Sequence, residues 1–174
     1  SGEIGFKEYL EKVDSDCSNG FDIGYEGEYK DEVECIEASK AVYALCLNES
    51  LSRHGQDIGT EQVIIENLAN ILIYSYVADS TLSRVMQNKD FYITKNQIVP
   101  ELCAKVYTAE QGIRVIEYAN KILNNIYNGN IPDDLNAKLG VLNKKLSLST
   151  DTIGLKKIIG EKVVEAGGYP VQSF

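Results

Sequence analysis

Apolar residues recur along this chain at helical spacing, and no alternating segment of useful length interrupts them. The longest such stretch is Gln62–Met86, QVIIENLANILIYSYVADSTLSRVM, which contains neither Gly nor Pro. Its apolar residues, among them Val63, Ile64, Ile65, Leu68, Leu72, Ile73, Tyr76 and Leu82, fall on nearly every side of a helix. A helix that is apolar all round is surrounded by protein or by lipid. Asn67, Asn70, Asp79, Ser80, Ser83 and Arg84 interrupt it too often for a membrane span of roughly 20 predominantly apolar residues. The pattern therefore predicts the central helix of a soluble bundle. Gly59-Thr60 supplies the start, with Thr60 as the N-cap and Glu61 favourable in the first turn.

The other elements follow from the same periodicity. Ile4–Val13 is a short amphipathic helix carrying Phe6, Leu10 and Val13, ended by Asp14-Ser15-Asp16; Cys17–Tyr29 is a glycine-bearing loop. Asp31–Arg53 is the first long helix, with Asp31, Glu32 and Glu34 at its positive end and Gly55 available for a left-handed C-cap. Asn88–Tyr92 is a connector. The third long helix starts either at a capping box, Thr94 to Gln97, with a kink at Pro100, or at Pro100 itself. Leu102, Val106, Ala109, Ile113, Ile116, Leu123 and Tyr127 form its apolar face down to Asn128-Gly129. Pro132–Leu146 carries a stripe of Leu135, Leu139, Leu142 and Leu146; Asp151–Ala166 is the last helix, stopped by Gly167-Gly168, and Tyr169–Phe174 is an extended tail. The fold class is all-α: an antiparallel bundle of three long helices, two shorter C-terminal ones and a short N-terminal one. Residues 1–30 read as an acidic segment and 31–174 as the bundle domain.

Charge sharpens the picture. The net charge is −9, and residues 1–35 carry eleven acids against three lysines, so nearly all of it sits at the front. Such a chain repels phosphate backbones and anionic lipid, which excludes nucleic acid as an expected partner and disfavours membrane surfaces. The acidic front itself is expected to be solvated and partly mobile. Cys17, Cys35, Cys46 and Cys103 form no C-x-x-C pair. The last three lie in helical patterns, where a free thiol acts as a small buried hydrophobe, and this fits a reducing compartment: the cytoplasm, or the mitochondrial matrix of a eukaryote.

Candidate chemistry is sparse. The run around Gly20, Gly24 and Gly27 lacks G-x-G-x-x-G and G-K-[ST] and follows no strand, so it reads as a turn region. His54 is the only histidine; no Glu stands three residues before it, and its place in a last helical turn points to the helix dipole. Asp79 is a carboxylate in an apolar stretch. It would need a partner and a cleft to act as a general base, and a hydrogen bond across helices, or a place at an exposed edge, is the commoner role. No residue is assigned to catalysis, to cofactor binding or to a metal.

Three runs resemble a known family. EQVIIENLANILIYSYVADSTLSR (Glu61–Arg84), ELCAKVYTAEQGIRVI (Glu101–Ile116) and the finishing helix with its aromatic end (Asp151–Phe174) are similar, in order and spacing, to the C-terminal domain of acyl-CoA dehydrogenases of the very-long-chain type and their bacterial relatives. The likeness runs from about residue 36 to 174, and the family commonly has Asp where Asn70 stands. It implies a parent enzyme that oxidises an acyl-CoA thioester to the trans-2-enoyl-CoA with FAD, a catalytic glutamate and an electron-transfer flavoprotein, in fatty-acid β-oxidation. That machinery lies in domains preceding this one. The resemblance also implies a bundle laid against the catalytic body, associated with dimers.

The expected function is thus a non-catalytic domain, with no cofactor of its own and FAD in the parent, whose partners are the parent's catalytic domains and other copies. The opening Ser1-Gly2-Glu3, without an initiator Met, is expected of one piece of a longer protein. In isolation it should expose an apolar patch. Two further readings stand beside this one: a free-standing helical adaptor that binds a protein through its acidic front, and a small bundle enzyme or ligand carrier built on Asp79 or His54.

Overall fold

A computed structural model describes residues 2–168 and 170–171, with side chains from Gly5 onward. Among the described residues there is no strand, and seven α-helices follow one another. They are α1 (Gly2–Ser18), α2 (Lys30–His54), α3 (Gln62–Gln87), α4 (Lys89–Thr94), α5 (Val99–Tyr127), α6 (Asp133–Leu146) and α7 (Thr152–Glu165), with a 3₁₀ segment, Gly55–Thr60, between α2 and α3. The all-α architecture is as the periodicity predicts.

The three long helices run up, down and up. Glu49, late in α2, accepts a hydrogen bond from Tyr127 at the end of α5, so these two helices are parallel. Tyr74 of α3 stacks on Tyr118 of α5 at 5.9 Å between ring centroids. The start of α2 meets the end of α3 and the start of α5 in a small cluster of Tyr29, Ile36, Leu82, Val85 and Ala104. The main core lies further along, where α2, α3 and α5 meet α6 and α1. The front of the chain contributes to it: Val13, Cys17 and Phe21 are all buried there.

The middle of the bundle belongs to α2 and α5, not to α3. α5 packs on α3, α2 and α7, while α2 packs on α5, α3 and α6. Both central helices carry small residues at their contacts. Cys35, Ala38, Ser39, Ala41 and Ala44 of α2 are buried, as are Ala104, Thr108, Gly112 and Ala119 of α5. Small side chains let helix backbones approach closely, and a search for long apolar stripes undervalues them. The tightest approach is at Gly112, where a Cβ would lie 2.2 Å from the carbonyl oxygen of Leu146 at the end of α6. Beside it, Gln111 donates through Nε2 to Ser39 Oγ (3.3 Å) and lies 3.5 Å from Cys35 Sγ, whose thiol faces the Thr108 carbonyl at 3.7 Å. This buried polar knot ties α2 to α5 at one register.

Several helix ends differ from expectation. α1 continues through Asp14-Ser15-Asp16 to Ser18, because Val13 and Cys17, four residues apart, both face the core. Thr60 does not cap α3: it ends the 3₁₀ segment, where its hydroxyl donates to the Asp57 carbonyl, and Glu61 is the cap residue. Thr94 to Gln97 forms no capping box. Thr94 closes α4, which replaces the expected connector; Asn96 takes a left-handed φ of 53°; and α5 begins beside Pro100, the second of the two predicted starts. Gly55 follows α2 with a φ of 55°, and Asn128 closes α5 in the left-handed conformation. Asp151 caps α7 by accepting from Gly154 N–H at 2.9 Å. All four leucines of the α6 stripe are buried. In α5, Ile113 is exposed rather than part of the apolar face. The tail prediction falls largely on 169 and 172–174, outside the described residues.

Candidate functional site

The chemistry-bearing residues do not converge. Asp79 pairs with Lys40 of α2 at 2.7 Å and faces the Ser83 hydroxyl, so it is a cross-helix ion pair, as the commoner reading of it holds. His54 closes α2 with Nδ1 3.7 Å from Glu61, and its buried Nε2 has no hydrogen-bond partner. Burial pushes the Cys35 and Cys46 thiols up to about 12, so neither is a nucleophile near neutrality. Cys17 is buried within α1 rather than in a loop, and Cys103, expected to be buried, is exposed. Gly20 and Gly24 take positive φ in the loop after α1, which is the turn role. No group of three or more His, Cys, Asp or Glu among the described residues is placed to hold a metal ion.

Grooves among the described residues include four. One of about 310 Å³, almost wholly apolar, lies between α1, α2 and α3 and is walled by Phe6, Tyr9, Tyr43 and Leu72. Burial and the nearby Glu37 carboxylate push the Tyr9 phenol up to about 12. A second, of about 300 Å³, lies around Tyr29, Val85, Tyr92, Ile93 and Gln97. In it the Tyr29 hydroxyl and the Gln97 side-chain amide oxygen Oε1 are buried without partners. The third, of about 200 Å³, is polar, with the Asp14–Lys138 pair at 2.7 Å and the Tyr127–Glu49 bond on its wall. The fourth, of about 480 Å³, is shared by Gln97–Val99 and the end of α7. Neither His54 nor Asp79 lines any of these grooves.

A dinucleotide needs donors turned toward its phosphates. The lysines at these grooves are instead held by carboxylates: Lys138 by Asp14, Lys89 by Glu28, Lys162 by Glu165 and Lys40 by both Glu37 and Asp79.

What the surface offers instead is apolar area. On α3, Ile64, Leu68, Ile71, Ala78, Leu82 and Val85 face the bundle, and a second stripe of Ile65, Leu72, Ile73 and Tyr76 faces out, with Val63 exposed on the other flank. The all-round apolar character of α3 thus reflects two stripes, of which this chain covers one. On α7 no residue is buried. Its Ile153 is 70% exposed and its Val164 80% exposed. The Lys156–Glu110 pair at 2.5 Å, with Lys162 beside Gln97–Val99, sets α7 antiparallel to α5, so Ile153 lies toward the level of the exposed Ile113.

Residues 39–144, well over half the chain, match the family model described as acyl-CoA dehydrogenase, C-terminal domain. The chain belongs to this family. The match runs from the middle of α2 to the last turn of α6 and contains two of the three recognised runs, Glu61–Arg84 and Glu101–Ile116. The third, Asp151–Phe174, lies beyond it, as does α1. Acyl-CoA dehydrogenases are generally FAD-dependent multi-domain oligomers, so a domain of this family ordinarily has partner domains. No curated protein matches the chain. Among the described residues no helix is long and apolar enough to cross a membrane.

The periodicity gave no sign that α7 has no fully buried residue, because its Ile153, Leu155, Ile158, Ile159 and Val163 look like an ordinary core stripe. One signal was present: Val164, Gly160 and Ile153 share a side with Lys157, which spreads the apolar residues around the helix.

Proposed function

We propose that this chain is a non-catalytic helical domain that docks on the catalytic body of an FAD-dependent acyl-CoA dehydrogenase of fatty-acid β-oxidation and sets its oligomeric state. The observation that carries the reading is the uncovered apolar surface on two sides of the bundle, the outer stripe of α3 and the flank formed by α7 with Ile113. Monomers rarely leave such patches open without an interaction to make. The α7 flank is the docking side for the catalytic body: a helix that packs on α5 yet has no fully buried residue within its own chain is completed by a second surface, and a stable contact covers about 800 Å² per partner.

Flavin and thioester chemistry reside in the body. The reading is supported by lysines already neutralised by carboxylates, by thiols of raised pKa, and by an Asp79 held in an ion pair. A calorimetric titration of residues 1–174 with FAD and with a fatty acyl-CoA tests this. Neither is expected to bind. Stoichiometric FAD uptake, or reduction of a dye acceptor by acyl-CoA with this chain alone, would sink the reading.

A further inference from the structure

The last helix is fastened to the bundle lightly, and what it covers is a surface of its own. We propose that α7 is a releasable strap: it lifts from α5 about a hinge at residues 149–151 while the rest of the bundle stays folded, and so uncovers an apolar seam along α5. The strap is a property of the free chain and stands whether or not α7 docks on a catalytic body.

Leu102, Val106, Ala109 and Ile113 succeed one another at steps of four, three and four, so they line one side of α5. With 3.6 residues per turn, that side lies between Gly112, which meets the end of α6, and Glu110, which pairs with Lys156 of α7. α7 packs chiefly on α5 and occupies this side. Leu102, Val106 and Ala109 are at most 7% exposed, yet they belong neither to the main core nor to the small cluster around Tyr29. Their burial depends on α7, and its release leaves both of those clusters whole.

Little holds the strap down. Leu155 and Ile159, one turn apart, are only partly buried, and Ile153 and Val164 are among the most exposed apolar residues of the chain. The Lys156–Glu110 pair is about half exposed on both partners, and such pairs hold weakly. The helix is capped from within: Asp151 accepts from Gly154 N–H, and Leu155 N–H donates to the Asp151 carbonyl. Leu148 packs against the main core, so the hinge falls after it. Gly160 weakens the helix without a packing reason, since a Cβ there would meet nothing within 4 Å. Gly154 has such a reason, because its Cβ would strike the Asp151 carboxylate. A lone helix of 14 residues is marginal in water, so α7 melts as it lifts. An element with few buried apolar contacts opens well below the free energy of global unfolding.

Native-state hydrogen exchange on residues 1–174, followed by mass spectrometry at low urea, tests the strap. The amides of α7 are expected to exchange through an opening at least ~100-fold more populated than the one that exposes α2, and with little dependence on urea. Leu142→Ala on α6 should speed exchange in α2 and leave α7 unchanged, because the α7 opening does not disturb the main core. In a Cys103→Ser background, Val106→Cys should react with a thiol reagent in the folded chain, while Cys35 and Cys46 wait for global unfolding. Adding Gly160→Ala should slow both that labelling and the exchange of α7 about four- to fivefold, the helix preference of Ala over Gly. α7 amides that exchange no faster than those of α2 overturn the strap, and so does a Leu142→Ala effect shared equally by the two helices. An α7 that opens while the Val106→Cys thiol stays protected overturns the seam. Docking is read separately, from binding to the catalytic body.

Discussion

Replacing Gly112 by Ala sets two local effects against each other. In a helix interior Ala is favoured over Gly by about 0.8–1.0 kcal/mol. At Gly112, however, the new Cβ would lie 2.2 Å from the Leu146 carbonyl oxygen, 3.1 Å from its carbon and 3.2 Å from Cys35 Sγ. Comfortable contacts between heavy atoms are about 3.5–4.0 Å, so α6 must retreat from α5 by more than 1 Å at this point. The nearest atom is backbone, so no rotamer change relieves it. Overpacking of this kind costs about 1–3 kcal/mol, occasionally more, and here it outweighs the helix-propensity gain. With a backbone clash at the upper end of that range and about 1 kcal/mol of propensity gained, about 2 kcal/mol of destabilisation remains; a domain of this size shifts by about 2–4 °C per kcal/mol, so Gly112→Ala should melt roughly 4–8 °C lower. Gly140 is the control. It sits within α6, exposed, with nothing within 4 Å of a built Cβ, so Gly140→Ala should raise the melting temperature by a few degrees. Differential scanning calorimetry of both variants beside the wild type decides it. A Gly112→Ala protein as stable as the wild type would refute the close approach of α5 and α6.

Other perturbations follow from the same packing. Leu142 is fully buried on α6, so Leu142→Ala should lose about 2–5 kcal/mol in urea unfolding, whereas Val164→Ala should change stability by less than about 0.5. Lys145 Nζ lies 2.7 Å from Glu34, whose side chain is almost wholly buried, so Lys145→Met leaves that carboxylate uncompensated and should cost about 3 kcal/mol; a neutral result would deny the pair its role. The Tyr127 phenol is pushed up to about 12 by its hydrogen bond to Glu49 and then by burial. Its stabilisation is whole below the unfolded value of 10 and drains as pH climbs toward 12, so Tyr127→Phe should lose stability less steeply than the wild type across that window. Parallel curves would count against it. With a thiol reagent, Cys103 alone should react in the native chain, slowly because partial desolvation raises its pKa, and all four cysteines should react in guanidinium.

The long elements were legible in the sequence because their signals are redundant. Leu135, Leu139, Leu142 and Leu146 could only be one buried stripe, and all four are buried. Pro100 could open a helix more easily than sit within one, and α5 begins beside it. What the sequence hid depends on which neighbour each face meets. Hydrophobicity ranked α3 above α2 as the centre, yet α2 and α5 take the centre through Ala38, Ala41, Gly112 and Thr108, whose small size matters and whose apolarity is modest. An isoleucine on an outer face and one in the core read alike, so Ile73 and Ile113 could not be told from Ile71 and Ile122 until the other helices were in place. The family was readable because Glu61–Arg84 and Glu101–Ile116 fall on helices that pack on each other, α3 and α5. The uncovered surface was foreseeable as a property of the isolated domain; its division between the α3 stripe and the α7 flank was not.

The most direct measurement is the binding of this chain to the FAD-loaded catalytic body of the proposed parent enzyme, with the two expressed separately and followed by light scattering and calorimetry. A saturable complex that weakens at least tenfold with Val164→Asp, while residues 1–174 alone take up no flavin, is the predicted result. A chain that remains apart from the body, or that binds FAD unaided, contradicts the account.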